Sequence, residues 1–169
     1  VSAKKLIDFT GQAKGFQKYD RFDETVVSEI RKDGAGGEVV VIDYATGLSE
    51  PAIVSDHLNL TGTSPLCGPN NPIGERFPVV NDIYVCDKDK LPKGLQSLKK
   101  IVVAGLKDGV KTGEKELALI KTLGAEAFCK NVVHTMIVAA HAKKTVLAIV
   151  VPEGKTLDAE LLAAIAELN

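Results

Sequence analysis

The apolar residues of this chain fall into two rhythms, and each rhythm predicts its own kind of element. Continuous β-branched and aliphatic runs at Val39–Ile42, Ile101–Gly105 and Thr145–Val151 predict strands buried on both faces. Ala52–Ser55 predicts a further short strand, Ala125–Cys129 the start of another, and Leu6, Ile7 and Phe9 a short one within the mixed stretch Val1–Asp20. Helical spacing at Val26, Val27 and Ile30 predicts a helix over Glu24–Ile30, with Asp23 as N-cap and Gly34 as stop. Glu114–Leu123 predicts an amphipathic helix with Leu117, Leu119, Ile120 and Leu123 inward, ended by Gly124. Met136–His141 and Leu157–Leu168 read as helices, the second capped near Thr156 or Asp158. Strands alternating with helices predict an α/β fold of three layers, a mixed and largely parallel sheet flanked by helices, in a single domain over residues 1–169.

Between the strand at Ala52 and the one at Ile101 the rhythm stops. Asp56–Tyr84 holds four prolines and three glycines, which neither a helix nor a central strand accommodates. It predicts one long ordered loop, a length usually associated with function when the composition is not that of a disordered segment. Asn81-Asp82 predicts the cap of a helical turn, and the lysine-rich Lys88–Lys100, with Pro92 and Gly94, a surface connection.

Composition narrows the functional classes. With 169 residues, 45% of them hydrophobic, the chain is large enough for one well-filled core. A net charge of -1 supplies no electrostatic footprint for nucleic acid, and the lysines of Lys88–Lys100 have no interleaved aromatics on which bases would stack. No apolar run is long enough to cross a bilayer, so neither nucleic acid nor membrane is an expected partner. Cys67, Cys86 and Cys129 are scattered, and nothing at Val1 reads as a secretory leader; both point to a reducing cytoplasm. His134 and His141, seven apart, have no carboxylate or cysteine at metal spacing, so no metal is expected. Aromatics make up only 5% of the chain, which makes Phe77 and Tyr84 in the long loop conspicuous.

Four pieces of that loop carry a resemblance. Asp56-His57-Leu58-Asn59-Leu60-Thr61-Gly62, Ser64-Pro65-Leu66, Gly68-Pro69-Asn70 and Gly74-Glu75-Arg76-Phe77-Pro78 resemble, in order and spacing, the central signature of the trimeric purine nucleoside phosphorylases. Leu123–Ala127, Met136–Ala139, His141 and Val146–Val151 also have counterparts, so the resemblance runs from about Val39 to about Val151. It implies a nucleoside-phosphorylase-like fold and the reaction of a purine nucleoside with phosphate to give free base and pentose 1-phosphate. It further implies inorganic phosphate as co-substrate with no other cofactor. Assembly would be a homo-oligomer, a trimer, in which Cys67–Tyr84 lies at the subunit contact and Phe77 reaches the neighbouring site.

The residues expected to carry chemistry are altered. The family binds phosphate with a Gly-Ser-Gly loop after the first strand and with an Arg and a His from a later loop. Here Gly34-Ala35-Gly36-Gly37 precedes a strand and reads as a turn. Arg21-Phe22 matches the Arg-Phe of the family's Arg-Phe-His and makes Arg21 the candidate phosphate ligand, but Asp23 stands where the histidine would, a carboxylate that repels phosphate. The family's base-reading Glu and Asn fall in regions that here read Gly105–Thr112 and Pro152-Glu153-Gly154, so Asp108 and Glu153 are the candidate replacements. Its Asn-Ala-Ala-Gly-Gly becomes Asp43-Tyr44-Ala45-Thr46-Gly47, with Tyr44 bulky enough to fill ligand space. Asp108 and His57 are the expected catalytic residues, with Asp43, Tyr44, Cys129, Glu153 and Phe77 on the substrate. For His57 the alternative is a structural hydrogen bond, and for Cys129 a buried apolar role at a strand end. Two classes follow: a nucleoside phosphorylase (a pentosyltransferase) with a rearranged site, or a non-catalytic descendant that binds a nucleoside or base, or assembles.

Overall fold

The computed structural model describes residues 4–169. In chain order the elements are β1 Lys4–Asp8, β2 Gln17–Lys18, α1 Glu24–Arg31, β3 Glu38–Thr46, β4 Ala52–Asn59, β5 Lys99–Gly105, α2 Glu114–Thr122, β6 Ala127–Cys129, α3 Val132–His141, β7 Thr145–Pro152 and α4 Ala159–Ala166. All the strands join one mixed sheet. β3 pairs in parallel with β1 on one side and β7 on the other, and β7 pairs antiparallel with β4. β4, β5 and β6 continue in parallel, and the end of β6 returns antiparallel to the end of β3, Ala45 opposite Cys129. The strands β3, β7, β4, β5 and β6 therefore close a ring, with β1 and β2 as an extension from its side.

The continuous apolar runs lie where burial on both faces demands them. Val39, Val41, Val146, Ala148 and Val150 point to a core shared with α1 and α3, while Val40, Ile42, Leu147, Ile149 and Val151 point to a second core under α4. α1 forms as expected: the Asp23 carboxylate accepts from Thr25 N at 2.8 Å, and Val26, Val27 and Ile30 are buried. Asp158 caps α4 in the same way through Leu161 N, at 2.7 Å. Gly34, Gly36 and Gly37 have positive φ, and so turn the chain into β3 as the glycine run predicts.

Four local expectations give way to tertiary structure. The strand predicted at Ala52–Ser55 runs on to Asn59, because Asp56–Asn59 find backbone partners in Val102–Gly105 across a register shift; the long loop thus begins later than Asp56. Asn81-Asp82 caps no helix, and Asp82 instead adopts φ 58° in a turn. Lys88–Lys100 is more than a surface connection: two 3-10 turns bury Leu91 and Leu95 in the second core, and Lys99 opens β5. In α2 only Ile120 is fully inward, whereas Leu119 and Leu123 are 62% and 54% exposed. Helical spacing gives an apolar stripe but not its width, and α2 meets the sheet along a narrow edge near Phe128.

Cys67, Cys86 and Cys129 are free thiols. Among the described residues no helix is long and apolar enough to cross a membrane, and no group of His, Cys, Asp and Glu is placed to hold a metal ion.

Candidate active site

Closing the ring brings the carboxyl ends of β3, β5, β6 and β7 together, the position at which α/β sheets commonly hold ligands. A cavity of about 210 Å³ lies there. Asp43, Tyr44 and Thr46 border it from β3, Cys129, Lys130 and Asn131 from the end of β6 and beyond, Asp108 from the loop after β5, and Glu153 from just after β7. Arg21 and Asp20, preceding α1, close the remaining side. This volume is below the roughly 300–1,000 Å³ usual for drug-sized ligands. A larger groove of about 650 Å³ runs between the Gly47–Ala52 turn and the start of α4, but it holds none of the eight candidate site residues.

Asp43 is the buried centre of the cavity wall. Strand alternation directs it to the same side as Val41 and Ala45, where it is 3% exposed. Its Oδ2 accepts from Asn131 N at 3.0 Å, and its Oδ1 from Asn131 Nδ2 at 3.2 Å and Tyr44 N at 2.8 Å. Burial drives its pKa up to about 6 against the pull of these donors. Burial likewise pushes the Cys129 thiol far above its ordinary range, with neighbouring Asp43 adding to the shift. Cys129 is therefore an apolar wall residue and not a thiolate. Asp108 pairs with Lys130 at 3.3 Å, both well exposed, and Glu153 accepts from Thr46 Oγ1 at 2.8 Å.

Six of the eight residues expected from sequence therefore border one cavity: Arg21, Asp43, Tyr44, Asp108, Cys129 and Glu153. Tyr44 does so differently from expectation. Its ring packs with the second core and its OH accepts from Gln12 Nε2 at 2.8 Å, so it turns away from the side on which Asp43 lies. His57 and Phe77 are not among the lining residues. The His57 ring meets Tyr84, Nδ1 to OH at 3.3 Å, and burial lowers its pKa. Phe77 is 82% exposed on the long loop beneath the Arg76 guanidinium. Lys130 and Asn131 escaped the sequence reading, because neither forms a motif and only the β3–β6 crossing brings them to Asp43.

The phosphate side is equally distinctive. Donors in the loop after β1 are already engaged: Thr10 N, Thr10 Oγ1 and Ala13 N all donate to the buried carboxylate of Asp8, at 2.8, 2.6 and 2.9 Å. Asp23 is held as a carboxylate by the Thr25 hydroxyl and amide, which lower its pKa. Arg21 and Lys130 are the cations at the cavity.

The signature residues of the long loop chiefly build the loop itself. Asn59 Oδ1 accepts from Thr61 N and Oγ1, Thr61 Oγ1 meets His134 Nε2 at 3.1 Å, and Arg76 donates to Gly68 O.

Known proteins share this arrangement of strands. No family model matches the chain. Purine nucleoside phosphorylase 1 of Bacillus subtilis is 32% identical over 160 residues, covering 85% of this chain and 58% of the relative. The purine nucleoside phosphorylase of Mycobacterium tuberculosis is 28% identical over 158 residues, covering 88% and 56%. A solved Schistosoma purine nucleoside phosphorylase in complex with guanosine superposes with a TM-score of 0.64 at 20% identity, covering 78% of this chain and 62% of that one. The chain thus spans a little over half the length of the curated relatives it matches. The fold is of the nucleoside phosphorylase class. Within that class the sequence is similar, at 28–32% identity over 158–160 residues, to purine nucleoside phosphorylases, as the signature in the long loop implies.

Proposed function

We propose that the cavity at Asp43 binds a purine nucleoside or base, and that phosphorolysis in this protein is attenuated. The observation that carries the reading is the convergence of Arg21, Asp43, Asp108, Cys129 and Glu153, drawn from five separate segments, on one cavity at the strand ends. In the family reaction the bond from the purine nitrogen to C1′ breaks with its electron pair passing to the base. A phosphate oxygen bonds C1′, and a proton completes the free base. Asp43 and Glu153 offer acceptors to base or sugar N–H and O–H groups, Cys129 supplies apolar wall, and Asp108 handles the proton at the mouth. Arg21 is the phosphate ligand. His57 takes no part in this scheme, since its ring faces Tyr84.

Attenuation follows from the missing anion donors. Removing one preorganised donor commonly costs about a hundred- to a thousandfold in rate. Here the loop amides after β1 hold Asp8 and a carboxylate, Asp23, stands beside Arg21. That arrangement also favours the second reading, a binding protein without turnover. These residues work as one domain in the cytoplasm, assembled as a homotrimer through Phe77 and its loop. Calorimetry with guanosine and hypoxanthine, beside release of free base from guanosine in excess phosphate, tests both readings. Saturable binding with turnover at least a hundredfold below an ordinary phosphorylase is expected. Absence of binding rejects the site, and ordinary turnover rejects the attenuation.

A further inference from the structure

The candidate acid of the cavity and its candidate phosphate ligand lie on segments far apart in sequence, and one side chain joins them. Asn131, the residue before α3, donates to Asp43 through both its backbone N, at 3.0 Å, and its Nδ2, at 3.2 Å. Its Oδ1 accepts from Phe22 N at 2.9 Å, the amide that follows Arg21. Its backbone N and both polar atoms of its side chain thus join the Asp43 strand to the Arg21 segment, while its backbone O accepts from Thr135 N and Oγ1 at 3.2 and 2.7 Å. Phe22 is held in addition against the edge of His134, ring centroids 5.4 Å apart, so the Arg21 segment has a second fixed point on α3. Asn131 does not cap α3 with its side chain, which leaves the bridge as the visible role of that side chain.

We propose that Asn131 is a positioning residue that sets the Asp43 carboxylate and the Arg21 segment as one unit, so that the purine end and the anion end of the cavity keep a fixed separation. The inference rests on the proposed function for its ligands, but its effect on Asp43 is a property of the ligand-free protein. An amide is required at 131 because the position must present a donor to Asp43 and an acceptor to Phe22 N. An aspartate there has the same shape and lacks the donor, and it sets a second carboxylate against a buried one. The charged groups that face Asp43 are Lys130 beside it, Arg21 and Asp20 on the opposite segment, Asp108 after β5 and Glu153 after β7. Of these, Lys130 favours its ionised form.

The test compares the unaltered protein with Asn131→Asp and Asn131→Ala by carboxyl NMR titration without ligand and by calorimetry with guanosine and with inorganic phosphate. The Asp43 midpoint should rise in both variants, further in Asn131→Asp. Guanosine affinity should fall roughly tenfold or more, the scale of one hydrogen bond to a charged group. Phosphate affinity should fall with it, although neither substitution touches Arg21. A helix-start role alone would lower thermal stability and leave the Asp43 midpoint in place, and that result overturns the proposal. So does a loss of guanosine affinity with phosphate binding unchanged. If the unaltered protein binds no purine, the proposed function fails, and the ligand-free midpoint still decides whether Asn131 positions Asp43.

Discussion

His141 Nε2 meets Asn70 Oδ1 at 3.0 Å and ties the middle of the long loop to the last turn of α3. The Asn70 amide nitrogen donates to Gly74 O at 2.9 Å, so Oδ1 is the acceptor and His141 carries its proton on Nε2. Burial, and then the nearby Arg31 charge, hold the ring pKa below its ordinary value. His141 is therefore neutral in the fold, and protonation favours the unfolded chain. Its contribution is present above about pH 6.5 and is lost as pH falls through the lower folded value. Asn70→Ala should destabilise the protein by about 1 kcal/mol. Hydrogen exchange of the Gly74 and Ile73 amides should rise selectively.

Gly74→Ala should be the more damaging change in the same loop. A Cβ at this position would lie 1.8 Å from His141 O, a backbone atom with no freedom to retreat. The loop must lift from α3, at a cost of roughly 1–3 kcal/mol. Chemical denaturation measures it; an unchanged midpoint would mean that the loop does not pack on His141.

Asp43→Asn should reshape the pH dependence of stability. Asp43 is raised from 3.8 to about 6, so it stabilises the fold below its unfolded pKa and loses that contribution as pH rises through about 6. The stability of the unaltered protein relative to the variant should fall by roughly 2–3 kcal/mol between about pH 4 and pH 8. Denaturant titrations at the two pH values give the difference directly. Purine binding that needs the carboxylate should weaken below about pH 6.

Much of the fold is local enough to read in one dimension. β3, β5 and β7 declare themselves by unbroken β-branched runs, and α1 by its cap and three apolar positions. What escaped depends on partners distant in sequence. Nothing in Asp56–Asn59 identifies a strand until Val102–Gly105 is beside it. His57 belongs to the signature, yet strand β4 directs it to Tyr84 and not to the cavity. Asn131 has the opposite history: it belongs to no motif and lies at the junction of two cavity walls.

The orientation of α2 supplies a contrast within one helix. Ile120→Ala removes a fully buried side chain and should cost about 2–5 kcal/mol. Leu119→Lys, one residue earlier and largely exposed, should change stability by about 0.5 kcal/mol or less. Equal effects on thermal unfolding would place both leucine-sized side chains inside and contradict the observed packing.

Phe77 and Val79, 82% and 74% exposed, give the loop an apolar tip of the kind that anchors subunit contacts. Light scattering should report three chains per particle at micromolar concentration. Phe77→Ser should shift the distribution towards monomer while leaving the circular dichroism spectrum unchanged. A monomer before substitution would assign the tip another role.

β7 lies between β3 and β4 in the ring, although it is the last of the described strands in chain order. During synthesis, Glu38–Thr46 and Ala52–Asn59 leave the ribosome long before the strand that separates them. Until Thr145–Pro152 follows, each exposes an unpaired edge, with Val39–Ile42 on the one and Ala52-Ile53 on the other. The nascent chain at that stage has two open strand edges, a state vulnerable to mispairing and to capture by chaperones. The cavity at Asp43, which takes a wall from beyond β7, forms only when that gap is filled.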